Sequence, residues 1–422
     1  MSNQKRIKIV FCIPELVIGG SEIALCEMLL ALKETNIFDL SVITFNKITH
    51  PRYKYFFEEH GITVLDASKD ETKPKFLRNI LRLHKARKYF KQQDIIVDFK
   101  YTYAYRFYRG IKKPKICWLH CGFNYFQKQL NAELLSKYDK VVCLSNNIIH
   151  EIKENYPILQ DKIVRIYNPI NVERILNQSN DIMFSTDGRY FVAVQRLDPH
   201  EKDVETVIRA FNIFAESNKE LKLYIVGGGS VEYTDYLKGL CETDRIIFTG
   251  ELKNPYSMIK NAEALILSSK SEVGEGLGLV LLEAQALDTL CISSNVKSGP
   301  PEILLNGQAG LLFETSNPED LANKLTAVCS DQVNVLKLVT YAKEQITRFL
   351  SKKSAEDFIN LNFSKFRTKT SKILPKIFFR ARRDSCDSTS KTDSHLSIAT
   401  SQLMMPCASA ITPVTGYQFA LV

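Results

Sequence analysis

The sequence predicts an α/β fold built twice over, each time as a parallel sheet wound with helices, and three observations lead there. Short β-branched and apolar runs alternate with amphipathic helical stretches through most of the length. The 422 residues leave room for two or three domains at roughly 100 to 200 residues each. Apolar residues make up 45% and charged residues 24%, the balance of a folded globular protein, which excludes a mostly disordered or fibrous chain.

The first half opens on an apolar run at 8–13, which leads through Pro14 and the paired Gly19-Gly20 into an apolar helical stretch at 23–32. Further strands are predicted at 40–45, 62–66, 95–99, 116–119, 141–144 and 163–166. Between 171 and 189 the composition turns polar, Asn-Gln-Ser-Asn-Asp and then Ser-Thr-Asp-Gly, and this stretch reads as a linker with the domain boundary near 185. The second half repeats the pattern, with strands predicted at 191–194, 221–226, 246–248, 264–267, 290–293 and 310–313. A basic run at 365–383 holds eight Lys or Arg and no acid, and from 384 onward Ser, Thr and Ala take over without periodicity. Such a tail buries too little apolar area to offset its ordering entropy and is expected to be disordered. The expected organisation is therefore domain 1–185, domain 186–345, a C-terminal helix at 346–365 and a tail at 366–422, with no repeat of solenoid period.

The formal net charge is +9, and a second concentration of it lies at 72–93, with eight basic residues and no acid. Phe76, Leu77, Ile80, Leu83, Tyr89 and Phe90 are interleaved at spacings a helix gathers on one side, so the stretch reads as a basic amphipathic helix. It suits a solvated face or an anionic membrane surface, where each basic residue contributes about 1 kcal/mol. Nucleic acid is disfavoured as a partner, because no motif for it accompanies the charge. No apolar run approaches the ~18 residues of a spanning helix, and the apolar start at 7–13 is too short for a signal peptide. A cytoplasmic protein, peripheral at the inner face of the plasma membrane, is expected. The ten cysteines are scattered without a Cys-x-x-Cys and read as reduced thiols. A metal site at Cys117, His120 and Cys121 lacks an evident fourth ligand.

Three stretches could carry chemistry. Gly19-Gly20 ahead of a helix lets the backbone approach a bound group and offers free N–H donors to phosphate, though a tight strand-to-helix turn would look the same. It is not Gly-x-Gly-x-x-Gly, which counts against a nicotinamide-dependent oxidoreductase. Arg196 and Lys202 follow the strand at 191–194, where open parallel sheets bind ligands, and together could neutralise a diphosphate leaving group. Glycines 274, 276 and 278 form a loop that opens into an apolar helix carrying Glu283, whose carboxylate is costly there unless paired. Eight residues separate Glu275 from Glu283, a reach of up to ~12 Å along a helix.

In this order Gly19-Gly20-Ser21-Glu22, Asn168-Pro169-Ile170-Asn171, Arg196-Leu197 with Lys202, Gly227-Gly228-Gly229, the pair Glu275 and Glu283, and Gly299-Pro300-Pro301-Glu302-Ile303 resemble glycosyltransferase family 4 over about residues 6–345. The resemblance implies a GT-B fold, two Rossmann-like domains facing across a cleft. It implies transfer of a hexose or N-acetylhexosamine from a nucleotide sugar, a UDP-sugar, with retention and without metal or other cofactor. No Asp-x-Asp occurs in the chain. The acceptor would be a lipid-linked or lipopolysaccharide glycan. By the same resemblance Arg196 and Lys202 hold the donor diphosphate, Glu283 the ribose hydroxyls and Glu275 the donor sugar. The backbone at Gly278 and Leu279 lies near phosphate and sugar, Gly19 and Gly20 line the phosphate side from the other domain, and His120 stands beside the donor sugar.

Some positions depart from the family pattern. Gln195 precedes Arg196 where glycine is usual, Asp203 follows Lys202 and is expected to weaken donor affinity, and Pro301 stands where relatives acting on surface polysaccharides commonly carry arginine. Nothing after about 365 resembles the family. A GT-B phosphorylase, a sugar-nucleotide epimerase and a non-catalytic polyanion-binding protein are the competing readings.

Overall fold

The computed structural model describes residues 6–17, 19–46, 51–68, 72, 74–120, 131–182, 184–271, 274–330 and 332–361. The expected disordered tail, the basic run at 365–383, Cys121 and the Phe76 side chain lie outside the described residues.

All thirteen predicted strands form, with ends displaced by no more than two residues. The first seven are β1 (Ile7–Ile13), β2 (Phe38–Thr44), β3 (Thr63–Asp66), β4 (Ile95–Asp98), β5 (Lys115–Trp118), β6 (Lys140–Cys143) and β7 (Ile163–Arg165). They make one parallel sheet in the order β3-β2-β1-β4-β5-β6-β7. The remaining six are β8 (Tyr190–Val194), β9 (Lys222–Val226), β10 (Ile246–Gly250), β11 (Ala264–Leu267), β12 (Cys291–Ser294) and β13 (Leu311–Phe313), in a second parallel sheet ordered β10-β9-β8-β11-β12-β13. Central strands such as β4 and β11 are buried along their whole length, β11 wholly apolar and β4 apolar up to the buried Asp98, while edge strand β3 is half exposed, as expected when helices cover both faces. The strand order reverses between β1 and β4 and again between β8 and β11, so each sheet has a crevice beyond its carboxyl ends at that point.

Local chemistry explains the helices. The helix Val204–Ser217 buries Val204, Val207, Ile208, Phe211 and Phe214 at helical spacing against the second sheet, and Asp203 caps it by accepting from Thr206 N at 3.3 Å. The stretch read as a linker at 171–189 instead starts with a helix, Val172–Gln178. Asn171 caps it, accepting from Arg174 N at 2.9 Å, and Ile175 is buried, which outweighs the polar composition. The C-terminal helix expected at 346–365 is divided. A 3-10 turn at Ile346–Phe349 gives way to extended Leu350, which bridges to Ile170, and the helix Ser351–Ile359 follows.

The basic helix is present as Lys75–Lys91, but its apolar residues do not share one side. Phe90 is buried, whereas Ile80, Leu81 and Leu83 project outward with exposures of 60%, 48% and 38%. Arg82 turns inward: its Nε donates to Ala67 O at 2.8 Å, and its guanidinium lies 4.9 Å from the centre of the Phe107 ring. The fork satisfies chain carbonyls beyond β2 and β3 that no aliphatic side chain could, and so an arginine takes the inner position. Seven described cysteines are free, four of them buried.

Candidate active site

Most predicted site residues leave the carboxyl ends of strands flanking the two switch points. In the second sheet β8 delivers Arg196 and Lys202, and β11 delivers Ser269 and the glycine loop. Gly227 packs so close to β8 that a Cβ there would stand 1.9 Å from Gln195 O, with φ at +150°. Only glycine permits that approach, which holds the loops after β8 and β9 together. Gln195 is buried, and its Oε1 accepts from Ser268 N at 3.1 Å, so this departure from the family pattern ties β8 to β11.

Lys202 reaches across and ion-pairs with Glu275, while Ser269 Oγ donates to the same Glu275 oxygen at 2.9 Å. Burial pushes the Glu275 carboxyl up, but the Lys202 charge, the hydrogen bonds from Lys202 and Ser269, and more distant Arg196 outweigh it and hold the group below its ordinary range. Arg196 is 57% exposed at the side chain and pairs with Glu201. Asp203 points away from this cluster. It accepts from Thr206 Oγ1 at 2.8 Å and Ser316 Oγ at 2.9 Å as a buried helix cap, turned from Lys202 toward the helix behind it.

Gly278 takes the left-handed conformation, φ +85°, at the start of the helix Leu279–Ala286. Gly299 wraps the preceding loop, since a Cβ there would stand 2.9 Å from Leu277 O, and Ser298 Oγ donates to Glu275 O at 2.7 Å. Glu283 lies one turn into the helix and accepts from Tyr256 Oη at 3.2 Å. Burial raises its carboxyl, opposed by the Arg174 charge and the Tyr256 hydrogen bond.

From the first sheet, Gly20 opens the helix Gly20–Glu34 and faces Leu279: a Cβ on Gly20 would lie 3.6 Å from Leu279 Cδ1. Gly19 is extended, φ −175°, so the backbone angle does not demand glycine there, but a Cβ would stand 2.7 Å from Glu22 Oε2, and its lack of a side chain makes room for that buried carboxylate. Glu22 is buried and pairs with Lys100 Nζ at 3.1 Å from beyond β4. His120 ends the segment after β5, its ring 4.4 Å from Phe99. Both ring nitrogens are sealed from solvent and have no partner among the described residues. Burial, and then the Lys100 charge, push its pKa down to about 3, so the imidazole is neutral at physiological pH.

Sequence reading missed Ser269, Tyr256, Arg174 and Lys100. Lys100 meets its partner from 78 residues away and Tyr256 from 27, distances no spacing rule reaches, while Ser269 meets Glu275 across a six-residue loop whose path periodicity does not predict.

Two parallel-sheet lobes, each with its crevice at the switch point, define the GT-B architecture. The model described as Glycosyltransferase Family 4 matches residues 18–174, and that described as Glycosyl transferases group 1 matches residues 176–345. The chain belongs to the glycosyltransferase family these two models describe. It is 27% identical over 247 residues to the N-acetylgalactosamine-N,N'-diacetylbacillosaminyl-diphospho-undecaprenol 4-alpha-N-acetylgalactosaminyltransferase of Campylobacter jejuni, covering 58% of this chain and 66% of that one. It is 27% identical over 258 residues to the lipopolysaccharide 1,6-galactosyltransferase of Salmonella typhimurium, covering 59% and 67%. The matches thus span about two thirds of these relatives' length. Among solved structures, Anabaena HepE in complex with UDP and glucose superposes with a TM-score of 0.68 at 16% identity, covering 84% of this chain and 98% of that one.

Proposed function

We propose that the chain is a retaining, metal-independent glycosyltransferase that moves a hexose or N-acetylhexosamine from a UDP-sugar to a lipid-linked or lipopolysaccharide glycan. The observation that carries this is the cluster of Lys202, Glu275 and Ser269 at the β8/β11 switch point, beside Arg196 and opposite Gly20. The names of the Campylobacter and Salmonella relatives support the acceptor class.

In this reading Lys202 and Arg196 exchange their carboxylate partners for the donor diphosphate, with the backbone N–H groups at Gly278 and Leu279 adding donors. Breaking the bond from the anomeric carbon to phosphate oxygen leaves charge on the diphosphate, and fixed cations that gain strength as that charge grows lower the barrier. The acceptor oxygen bonds the anomeric carbon from the same face, and its proton passes to the departing phosphate oxygen. Glu283 binds the ribose hydroxyls, Glu275 lies by the donor sugar, and neutral His120 orients that sugar. Gly19 and Gly20 line the phosphate side, where Gly20 carries no side chain to stand between the phosphates and the helix at Leu279.

The partner surface is an anionic membrane at the inner face of the plasma membrane, supported by exposed Ile80, Leu81 and Leu83 among His84, Lys85, Lys88 and Lys91. Among the described residues no helix is long and apolar enough to cross a membrane.

Donor-dependent extension of a lipid-linked glycan, with the anomeric configuration of the product read by NMR, tests the reaction. Glu283→Ala is expected to raise the UDP dissociation constant, and Arg196→Ala to cut turnover at least about tenfold, the order expected for loss of one charge-stabilising donor. Wild-type behaviour of both variants would refute the site.

A further inference from the structure

The helix Val172–Gln178, where the chain crosses between the two sheets, stands between the donor carboxylate and the other lobe. Its C-terminal end is fastened to the second lobe, with Asn254 Nδ2 donating to Gln178 O at 2.7 Å and Lys260 Nζ to Ser179 Oγ at 3.3 Å. From its first turn Arg174 extends in two directions. One Nη2 contact pairs with Glu27 Oε1 at 2.7 Å, and Glu27 is buried on the helix Gly20–Glu34. Arg174 Nη1 donates to Gln178 Oε1 on its own helix at 3.0 Å, and the guanidinium charge acts on Tyr256, which is 7% exposed and donates to Glu283 Oε1 at 3.2 Å. The side chains of Glu27, Arg174, Tyr256 and Glu283 therefore follow one another from the first lobe to the second.

A partly buried ion pair of this kind is poor evidence of stability, since desolvating two charges offsets most of their attraction. Its geometry fits a positioning role better. Glu283 sits on a helix among Leu281, Leu282 and Ala284, where a carboxylate without a fixed partner would turn outward or take up a proton. Tyr256 fixes one of its oxygens, and the Arg174 charge acts on both groups. The other end of the chain is anchored two turns along the helix whose first residues face Leu279.

We propose that Arg174 is a positioning residue of the donor site: through Tyr256 it orients the Glu283 carboxylate, and through Glu27 it couples that carboxylate to the helix that begins at Gly20. This rests on the reading of Glu283 as the ribose-binding group. Donor occupancy and the approach of the two lobes are then linked through one side chain, which contacts no reacting atom.

Titration of UDP into the full-length protein, with steady-state kinetics on the UDP-sugar, tests the chain. Arg174→Met is expected to raise the UDP dissociation constant and the donor KM about tenfold while kcat at saturating donor stays within about twofold. The groups facing Glu283 are Arg174, Tyr256 and Glu27. Removing the one cation among them raises the carboxyl further, so donor affinity in the variant falls off at a higher pH than in wild type. Arg174→Lys restores the charge without the fork and recovers part of the affinity but not the Tyr256 contact. Tyr256→Phe removes a single hydroxyl, and serves should Arg174→Met fail to fold. If Glu283→Ala weakens UDP binding while Arg174→Met and Tyr256→Phe match wild type in affinity and pH profile, the positioning role is overturned. If Glu283→Ala itself binds UDP normally, the donor-site reading fails instead.

Discussion

The His120 imidazole is closed in by Phe99 and Trp118, and its folded pKa of about 3 lies below the ordinary 6.5. The unfolded chain takes up a proton there from about pH 6.5 downward, while the native ring stays neutral until near pH 3. Stability is therefore complete above pH 6.5 and declines as pH falls through that window, by up to about 1.4 kcal/mol per pH unit from this group. His120→Phe keeps an aromatic body and removes the titration. Urea midpoints between pH 7 and 5 should fall less steeply in the variant, and parallel slopes would contradict a neutral buried imidazole. Single residues also show where sequence reading reaches its limit. Lys202 and Glu275 are legible as site candidates from their loops, but their mutual pairing is not, nor is the turn of Asp203, next to Lys202 in the chain, into the following helix as its cap. Adjacent side chains point apart at a strand-to-helix corner, so Asp203 serves the helix behind it while Lys202 faces Glu275.

At the level of elements, the helix Lys75–Lys91 illustrates a similar inversion. Composition says basic and amphipathic; packing decides which residues go inside. Arg82 is taken in by carbonyls and two aromatic rings, leaving Ile80, Leu81 and Leu83 outside beside lysines. Each exposed aliphatic that enters the interface of a bilayer adds apolar burial to the attraction of the lysines for anionic lipid. Cosedimentation with phosphatidylglycerol vesicles should be substantial and fall with salt, and Ile80→Gln with Leu81→Gln should cut it at least about fivefold. Equal sedimentation with neutral phosphatidylcholine vesicles, or no effect of the pair, would dismiss this face as the contact. Arg82 belongs to the fold and is a poor choice for that experiment.

On the scale of the whole molecule, the chain crosses from the first sheet to the second at 168–171 and comes back at 349–354. The two crossings are stitched together: Ile170 N donates to Phe349 O at 2.9 Å, Ser351 N to Ile170 O at 3.1 Å, and Ser354 Oγ to Tyr167 O at 2.9 Å. The helix Ser351–Ile359 then packs on the helix Gly20–Glu34 and sends Phe358 against Phe11, Phe38 and Trp118. The last described helix thus completes the core of the first lobe. Phe358→Ala is expected to destabilise by about 3–5 kcal/mol. Differential scanning calorimetry should show that loss, whereas Tyr55→Ala, at a 69% exposed position, should stay within about 0.5 kcal/mol of wild type. A Phe358 variant that melts like wild type would mean the returning helix contributes no core.

The sequence by itself determined the thirteen strands, the two-sheet plan and the loops that bear Gly20, Arg196, Lys202, Glu275 and Glu283, because buried parallel strands are written as local apolar runs and glycines mark close approaches of the chain. Tertiary structure alone decided that Lys202 meets Glu275 and Arg174 meets Glu27, that Arg82 is buried while its aliphatic neighbours are exposed, and that Phe358 serves the first lobe. Those outcomes depend on contacts between segments tens to hundreds of residues apart, and periodicity, which is a property of neighbours in the chain, carries no information about them.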